Sequence, residues 1–272
     1  MSETTRGPEK AASADQIGLS HREATATPAM PAPRDAASWA RKVDRLEVSP
    51  RDGVRGTNVA GRRLTGPVQG FGKMWQKTYR MDAGQLPPEQ AIATWREHFP
   101  EFWPKGNRFA GALTGLNPGD VALLDLAIGG GVKLSTGVFV LYADAESFTL
   151  MTPQGHMFAG WITFSAQRSG SSTAVQAQVL MRANDPLYEL SMIVAGHRKE
   201  DRFWAATLTA LGHRLGIAEP AVETTSICVD SRRQWRHARN IWHNSMVLSV
   251  LQTLAAPVTS LRRTLKHGAV ES

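Results

Sequence analysis

Residues 160–216 read GWITFSAQRSGSSTAVQAQVLMRANDPLYELSMIVAGHRKEDRFWAATLTALGHRLG, and this stretch decides the fold. Its first part alternates. GWITFSAQR sets Ile162, Phe164 and Ala166 against Trp161, Thr163 and Ser165, the period of two that marks a strand. TAVQAQVLMRA sets Val175, Ala177, Val179 and Met181 against Gln176 and Gln178. Ser169-Gly170-Ser171-Ser172 between them reads as a turn. The period then lengthens. Asp185 can cap a helix and Pro186 suits its first turn. Leu187, Leu190, Ile193 and Val194, then Phe203, Trp204, Leu208, Leu211 and Leu215, recur at helical spacing up to Gly216, a natural stop. Gly196 inside that run costs about 1 kcal/mol relative to alanine, which predicts a bend or break there.

Upstream, FGKMWQKTYRMDA is strand-like through Phe71, Trp75, Tyr79 and Met81. Leu86-Pro87-Pro88-Glu89 opens a helix with Ile92, Trp95 and Phe99 on one face. RFAGALTG, VALLDLAIG, STGVFVLYA and SFTLMT follow as short runs bounded by Gly, Pro, Asn or Asp. The connections are too short for parallel crossovers, so the sheet is antiparallel. Strand, helix, six strands and a long helix make an α+β fold, a seven-stranded antiparallel sheet wrapped on the long helix.

This order resembles the helix-grip order of the START-like superfamily, which includes polyketide cyclases and birch-allergen-type lipid carriers. Thr152-Pro153-Gln154-Gly155-His156 before Gly160-Trp161 and Phe164, with Arg182-Ala183 before Asp185-Pro186, resembles a bacterial branch of it. The resemblance spans roughly residues 68–217 and implies a cavity for an apolar small molecule. It implies no reaction, because carriers and enzymes share the fold, and the narrower branch brings no catalytic set.

The division expected along the chain is a disordered tail at 1–38, a lead-in at 39–67, a helix-grip domain at 68–218 and a C-terminal extension at 219–272. The tail lacks apolar residues whose burial could offset its ordering. Net charge is +7, with the excess in the two flanks. That distribution argues against nucleic acid, which a folded module usually meets with its own basic charge. The single cysteine, Cys228, excludes an intrachain disulfide and a cysteine-based zinc cluster. No apolar leader is visible in the first 30 residues and no run of 18 apolar residues occurs. A cytoplasmic location follows as an expectation, with peripheral membrane contact as its variant.

HExxH, GxSxG and GxGxxG are absent from the sequence. Gly129-Gly130-Gly131-Val132-Lys133 lacks the spacing of a phosphate loop. His237 and His243 do not share a helical face. No cofactor and no metal are therefore expected, and binding is expected before catalysis. The ligand-binding set is Trp161, Phe164, Tyr188, Phe203 and Trp204, with Arg182 and Asp125 as polar members. Arg182 can meet a ligand carboxylate or phosphate, or bond the helix-entry loop at Asp185. Asp125 can face the cavity, pair with Arg182 across strands, or lie on a solvated face. His156 is the one catalytic candidate, as the acid/base of a cyclase-like or lyase-type enzyme; otherwise it bonds its own turn. The segment from Asp230 to Pro257 reads as one helix, basic around Trp235 and Trp242 and apolar from Val247 to Leu254. Docking on the domain, lying on an anionic membrane surface, contacting RNA, and pairing with a second copy are its open alternatives. In a scaffold reading this helix does the work.

Overall fold

The computed structural model describes residues 36–48, 56–111, 115–129 and 132–251. The tail expected at 1–38 lies outside these residues except for a short turn at Ala36–Ser38, as does the stretch from 252 to 257 of the expected C-terminal helix. Eight strands form one antiparallel sheet. They are β1 (Met74–Asp82), β2 (Arg108–Ala110), β3 (Val121–Gly129), β4 (Val132–Ala143), β5 (Ser147–Met151), β6 (Phe158–Ser169), β7 (Ser172–Ala183) and β8 (Val222–Asp230), in the spatial order β2-β3-β4-β5-β6-β7-β1-β8. Helix α1 (Pro88–Glu97) enters through Pro87 and Pro88. A continuous helical run follows β7 as α2 (Pro186–Ser191), a π-helical turn (Met192–Gly196) and α3 (His197–Arg214). This is the helix-grip order, and the fold is α+β.

The local signals act as physical chemistry requires. Asp185 Oδ1 accepts from Leu187 N at 2.9 Å and Tyr188 N at 3.0 Å, satisfying two of the orphan donors at the start of α2. The expected irregularity at Gly196 is the π turn that ends there. Gly216 stops α3 at φ +85°, with its N–H on His213 O and that of Ile217 on Gly212 O, a double bond pattern that needs a left-handed residue. Gly212 lets α3 close on the sheet: a Cβ there would lie 2.6 Å from Pro220 and 2.7 Å from Met81.

The sheet has eight strands where seven were expected. β8 pairs antiparallel with β1 along its length and lies within the stretch expected as a C-terminal extension. It is an edge strand, exposed on nearly every residue. Two exposed faces leave no alternation of apolar and polar residues, and only its β-branched content (Val222, Thr224, Thr225, Ile227 and Val229) marks it.

Both sheet faces are covered. The inner face meets α1 and α3 in the main core, where Trp95, Phe99, Phe148 and Phe164 are fully buried. On the outer face Leu46 and Val59 pack against Ala110, Leu123 and Phe139. The lead-in thus supplies part of a second small core.

Candidate functional site

The pairing register places inner-face side chains in rows, because directly opposed residues share a face. One row runs Tyr79, Ala177, Phe164, Phe148, Ala143. Phe164 is its centre, with ring centroids 4.6 Å from Phe148, 4.9 Å from Trp95, 5.1 Å from Phe99 and 5.4 Å from Trp204. Stacked, tilted and edge-to-face rings fill this part of the space between sheet and α3, and the row from Tyr79 to Phe148 has no exposure.

The next row is looser. It runs Lys77, Val179, Ile162, Leu150, Val140. Val179 keeps 6% exposure and Ile162 keeps 9%, in mid-sheet and facing the helix. Val138 on β4 keeps 6%. A third row, Phe109, Leu124, Thr136, lies toward the β2 edge. Thr136 Oγ1 is buried there without a hydrogen-bond partner. Trp103, 5.2 Å from Phe109 and 5.1 Å from Phe203, also buries an unpartnered Nε1–H. Buried polar groups are nearly always satisfied by protein, water or ligand, so these two donors, like Trp95 Nε1 in the aromatic row, are open to a partner outside the chain.

Sequence reasoning missed a charged cluster at the end of the loose row. Lys77 is 1% exposed. Its Nζ donates to Asp201 Oδ1 at 2.7 Å and to His197 O at 3.4 Å. It also lies 3.0 Å from Glu200 Oε2, forming a buried ion pair. Tyr79 Oη donates to Asp201 Oδ1 at 2.8 Å. Burial pushes the Glu200 carboxyl up to about 7, opposed by the Lys77 charge. Burial together with Glu200 and Asp201 raises Tyr79 well above its ordinary range, so it is a neutral donor. The signal was present: Lys77 has the parity of Trp75, Tyr79 and Met81, a lysine on the apolar side of its strand.

The expected ligand set divides between the faces. Phe164, Tyr188 and Trp204 pack in the main core, and Phe203 lies 4.9 Å from Trp204. Tyr188 Oη accepts from Met246 N at 3.0 Å. Trp161, Arg182 and Asp125 have the opposite parity and lie on the outer face, away from α3. Trp161 sits by Gly66. Arg182 donates to Gly72 O, to Arg232 O at 2.8 Å and to Asp230 Oδ2 at 2.6 Å. Asp125 Oδ1 accepts from Ser135 Oγ at 2.6 Å. Asp125 and Arg182 do not pair, since β4, β5 and β6 separate their strands. A groove of about 560 Å³ between residues 43–47 and Gly119, Val121 and Phe139 also lies on this outer side.

His156 Nδ1 accepts from Phe158 N at 3.0 Å, and burial depresses the imidazole to about 4. It is a neutral ring that closes its own turn. With Nδ1 committed to the backbone, this geometry favours the turn-closing reading over the acid/base one.

The C-terminal segment is not one helix. After β8 comes a 3₁₀ strap, Trp235–His243, and Asn244 then starts a new helix over 245–251. Asn244 Oδ1 accepts from Met246 N and Val247 N, and its Nδ2 donates to Asp185 Oδ2 at 2.8 Å, so the caps of two helices are joined. Asn240 donates to Asn184 O, and Ser245 N to Gly155 O. The short motifs around Gly155 and Asp185 are therefore the receptacle of this strap.

No family model matches the chain, and no curated protein does. Among solved structures, the chain is similar to a START superfamily protein from Mycobacterium smegmatis at 24% identity, over 53% of this chain and 98% of that one, with TM-score 0.36. It is similar to Ara h 8.0201 at 12% identity, over 52% and 97%, with TM-score 0.39. It is similar to the di-domain ARO/CYC StfQ from the steffimycin biosynthetic pathway at 13% identity, over 54% and 50%, with TM-score 0.38.

Proposed function

We propose that the domain binds an apolar or amphipathic small molecule between the inner sheet face and α3, at the loose end of that space. The observation that carries this reading is the pair of buried, unpartnered donors, Trp103 Nε1 and Thr136 Oγ1, beside inner-face aliphatics that keep residual exposure. Phe164, Trp204 and Phe203 form the closed wall, Tyr188 lies in the same core, and Ile162, Val179 and Val138 form the floor. An acyl chain lying there contributes roughly 0.8 kcal/mol per methylene before the cost of immobilising it. An acceptor oxygen on the ligand takes the Trp103 N–H. A mostly apolar site with few polar groups is the usual form of a small-molecule pocket.

Native mass spectrometry and tryptophan quenching with a fatty acid, its methyl ester and the matching alkane test the proposal. The two oxygenated probes bind more tightly than the alkane, and Trp103→Phe removes that preference while leaving alkane binding intact. Equal binding of all three to wild type and variant, or no binding at all, overturns it.

A further inference from the structure

The 3₁₀ strap has three residues per turn, so side chains three apart eclipse one another and the segment has three faces. One face carries His237, Asn240 and His243 and is turned to the protein. His237 bonds the Val68 backbone, Asn240 Nδ2 donates to Gln69 O at 2.9 Å, and His243 Nδ1 lies 2.8 Å from Arg62 Nη1. The other two faces are more open. One carries Arg236, Arg239 and Trp242, all exposed; the other carries Trp235, whose ring lies edge-on to Phe71 at 5.2 Å, with half-buried Ala238 and exposed Ile241. Trp235 is 73% exposed and Trp242 80%, and Val68 beside them is also exposed. The inward face is thus fully used for attachment, while the most exposed indoles of the described residues stand beside two arginines.

The charges on this surface are one-sided. The sequence contains no carboxylate between Asp230 and Glu271. Arg232 is paired with Asp230 and Arg233 with Glu189. Arg236 and Arg239 belong to no ion pair among the described residues. Indoles at the level of lipid headgroups, with basic side chains on the phosphates, are what an anionic bilayer surface accepts. Nucleic acid fits less well: Val68 and Ile241 are aliphatic, and single-strand binding relies on stacked bases along a basic groove.

We infer that the strap is a docking surface for a lipid bilayer bearing anionic headgroups, with Trp242 and Ile241 entering the interface and Arg236 and Arg239 on the phosphates. This does not depend on a ligand in the sheet–helix space. The strap hands over to Met246 and Tyr188 at the edge of that space, so docking presents the same end of the domain to the membrane.

The test is co-sedimentation of the full chain with phosphatidylcholine vesicles, with and without phosphatidylglycerol, with tryptophan emission recorded alongside. Wild type binds the anionic vesicles with a blue shift, and binding weakens as salt rises. Arg236→Gln with Arg239→Gln lowers affinity roughly 20–30-fold. Trp242→Ala lowers it too, at an unchanged melting temperature because the ring is solvent-facing. A charge-matched control, Lys105→Gln with Arg168→Gln, binds as wild type does. Wild type failing to bind anionic vesicles, or the double arginine variant losing no more than the control, overturns the inference. Arginine-dependent binding to a single-stranded RNA oligonucleotide without vesicle binding also overturns it and reassigns the surface.

Discussion

Lys77→Met removes the cation from the buried cluster at nearly constant volume, and its cost depends on pH. Breaking a buried pair by deleting one partner usually costs about 3–5 kcal/mol, because the remaining charge is left in the interior. Here Glu200 can escape by taking a proton. In the wild type its carboxyl already sits at about 7, against an ordinary 4.5. Below pH 7 the variant therefore keeps a neutral Glu200, and the loss is confined to the Lys77–Asp201 contact, whose carboxylate is 35% exposed and screened. That part is of the order of 1 kcal/mol. Above pH 7 the wild type releases the Glu200 proton in both folded and unfolded states. The variant retains it only when folded. Its stability then falls relative to wild type by about 1.4 kcal/mol for each pH unit, until Glu200 ionises inside the protein. The gap is thus about 1 kcal/mol at pH 6 and about 3–4 kcal/mol at pH 9. In a domain of this size that is roughly 6–16 °C at the alkaline end. Melting curves at pH 6, 7, 8 and 9 measure it, with Lys77→Met/Glu200→Gln as the companion. The double variant has no proton to hold, so its gap stays flat. A gap in the single variant that is flat across this range, or one that grows equally in the double variant, refutes the reasoning.

His156→Ala strands the Phe158 N–H and costs about 1–3 kcal/mol at pH 7.5. Since burial holds the native imidazole at about 4, below its ordinary 6.5, its contribution is present above pH 6.5 and lost as pH falls toward 4. The difference between wild type and variant in chemical denaturation should shrink on acidification, and a widening difference counts against the neutral-ring assignment. Phe164→Ala removes the centre of the aromatic knot and costs about 3–5 kcal/mol in urea unfolding; a loss under 1 kcal/mol means that the knot is not tightly packed. Asn244→Ala deletes the second cap and its bond to Asp185, costing about 1–2 kcal/mol. Amide exchange at residues 245–251 should accelerate while that of β6 does not, and an unchanged rate at Met246 and Val247 contradicts the cap.

Parity and punctuation made most of the fold legible. Strands β6 and β7 alternate cleanly because one face meets α3, and Asp185, Gly196 and Gly216 mark the changes of the helical run by ordinary capping and glycine chemistry. The C-terminal segment misled because a 3₁₀ strap followed by a short helix keeps nearly the period of one α-helix. Only Asn244 betrays the joint, and it does so through Asp185, which is distant in sequence. The site was half legible for a related reason. Trp161 and Arg182 cannot share a pocket with Phe164 and Met181, since neighbours along a strand point to opposite faces. A carboxylate or guanidinium on a strand is usually read as either solvated or ligand-facing. Here a third outcome holds, because the lead-in and the strap cover the outer face. Under that cover Arg182 turns its guanidinium to Gly72 O, Arg232 O and Asp230, three groups contributed by the covering chain and by β8. The buried arginine is therefore a tether for the segments whose packing sequence periodicity does not report. The chemistry that faces α3 belongs instead to Lys77, which breaks the apolar pattern on the side where a charge is most costly.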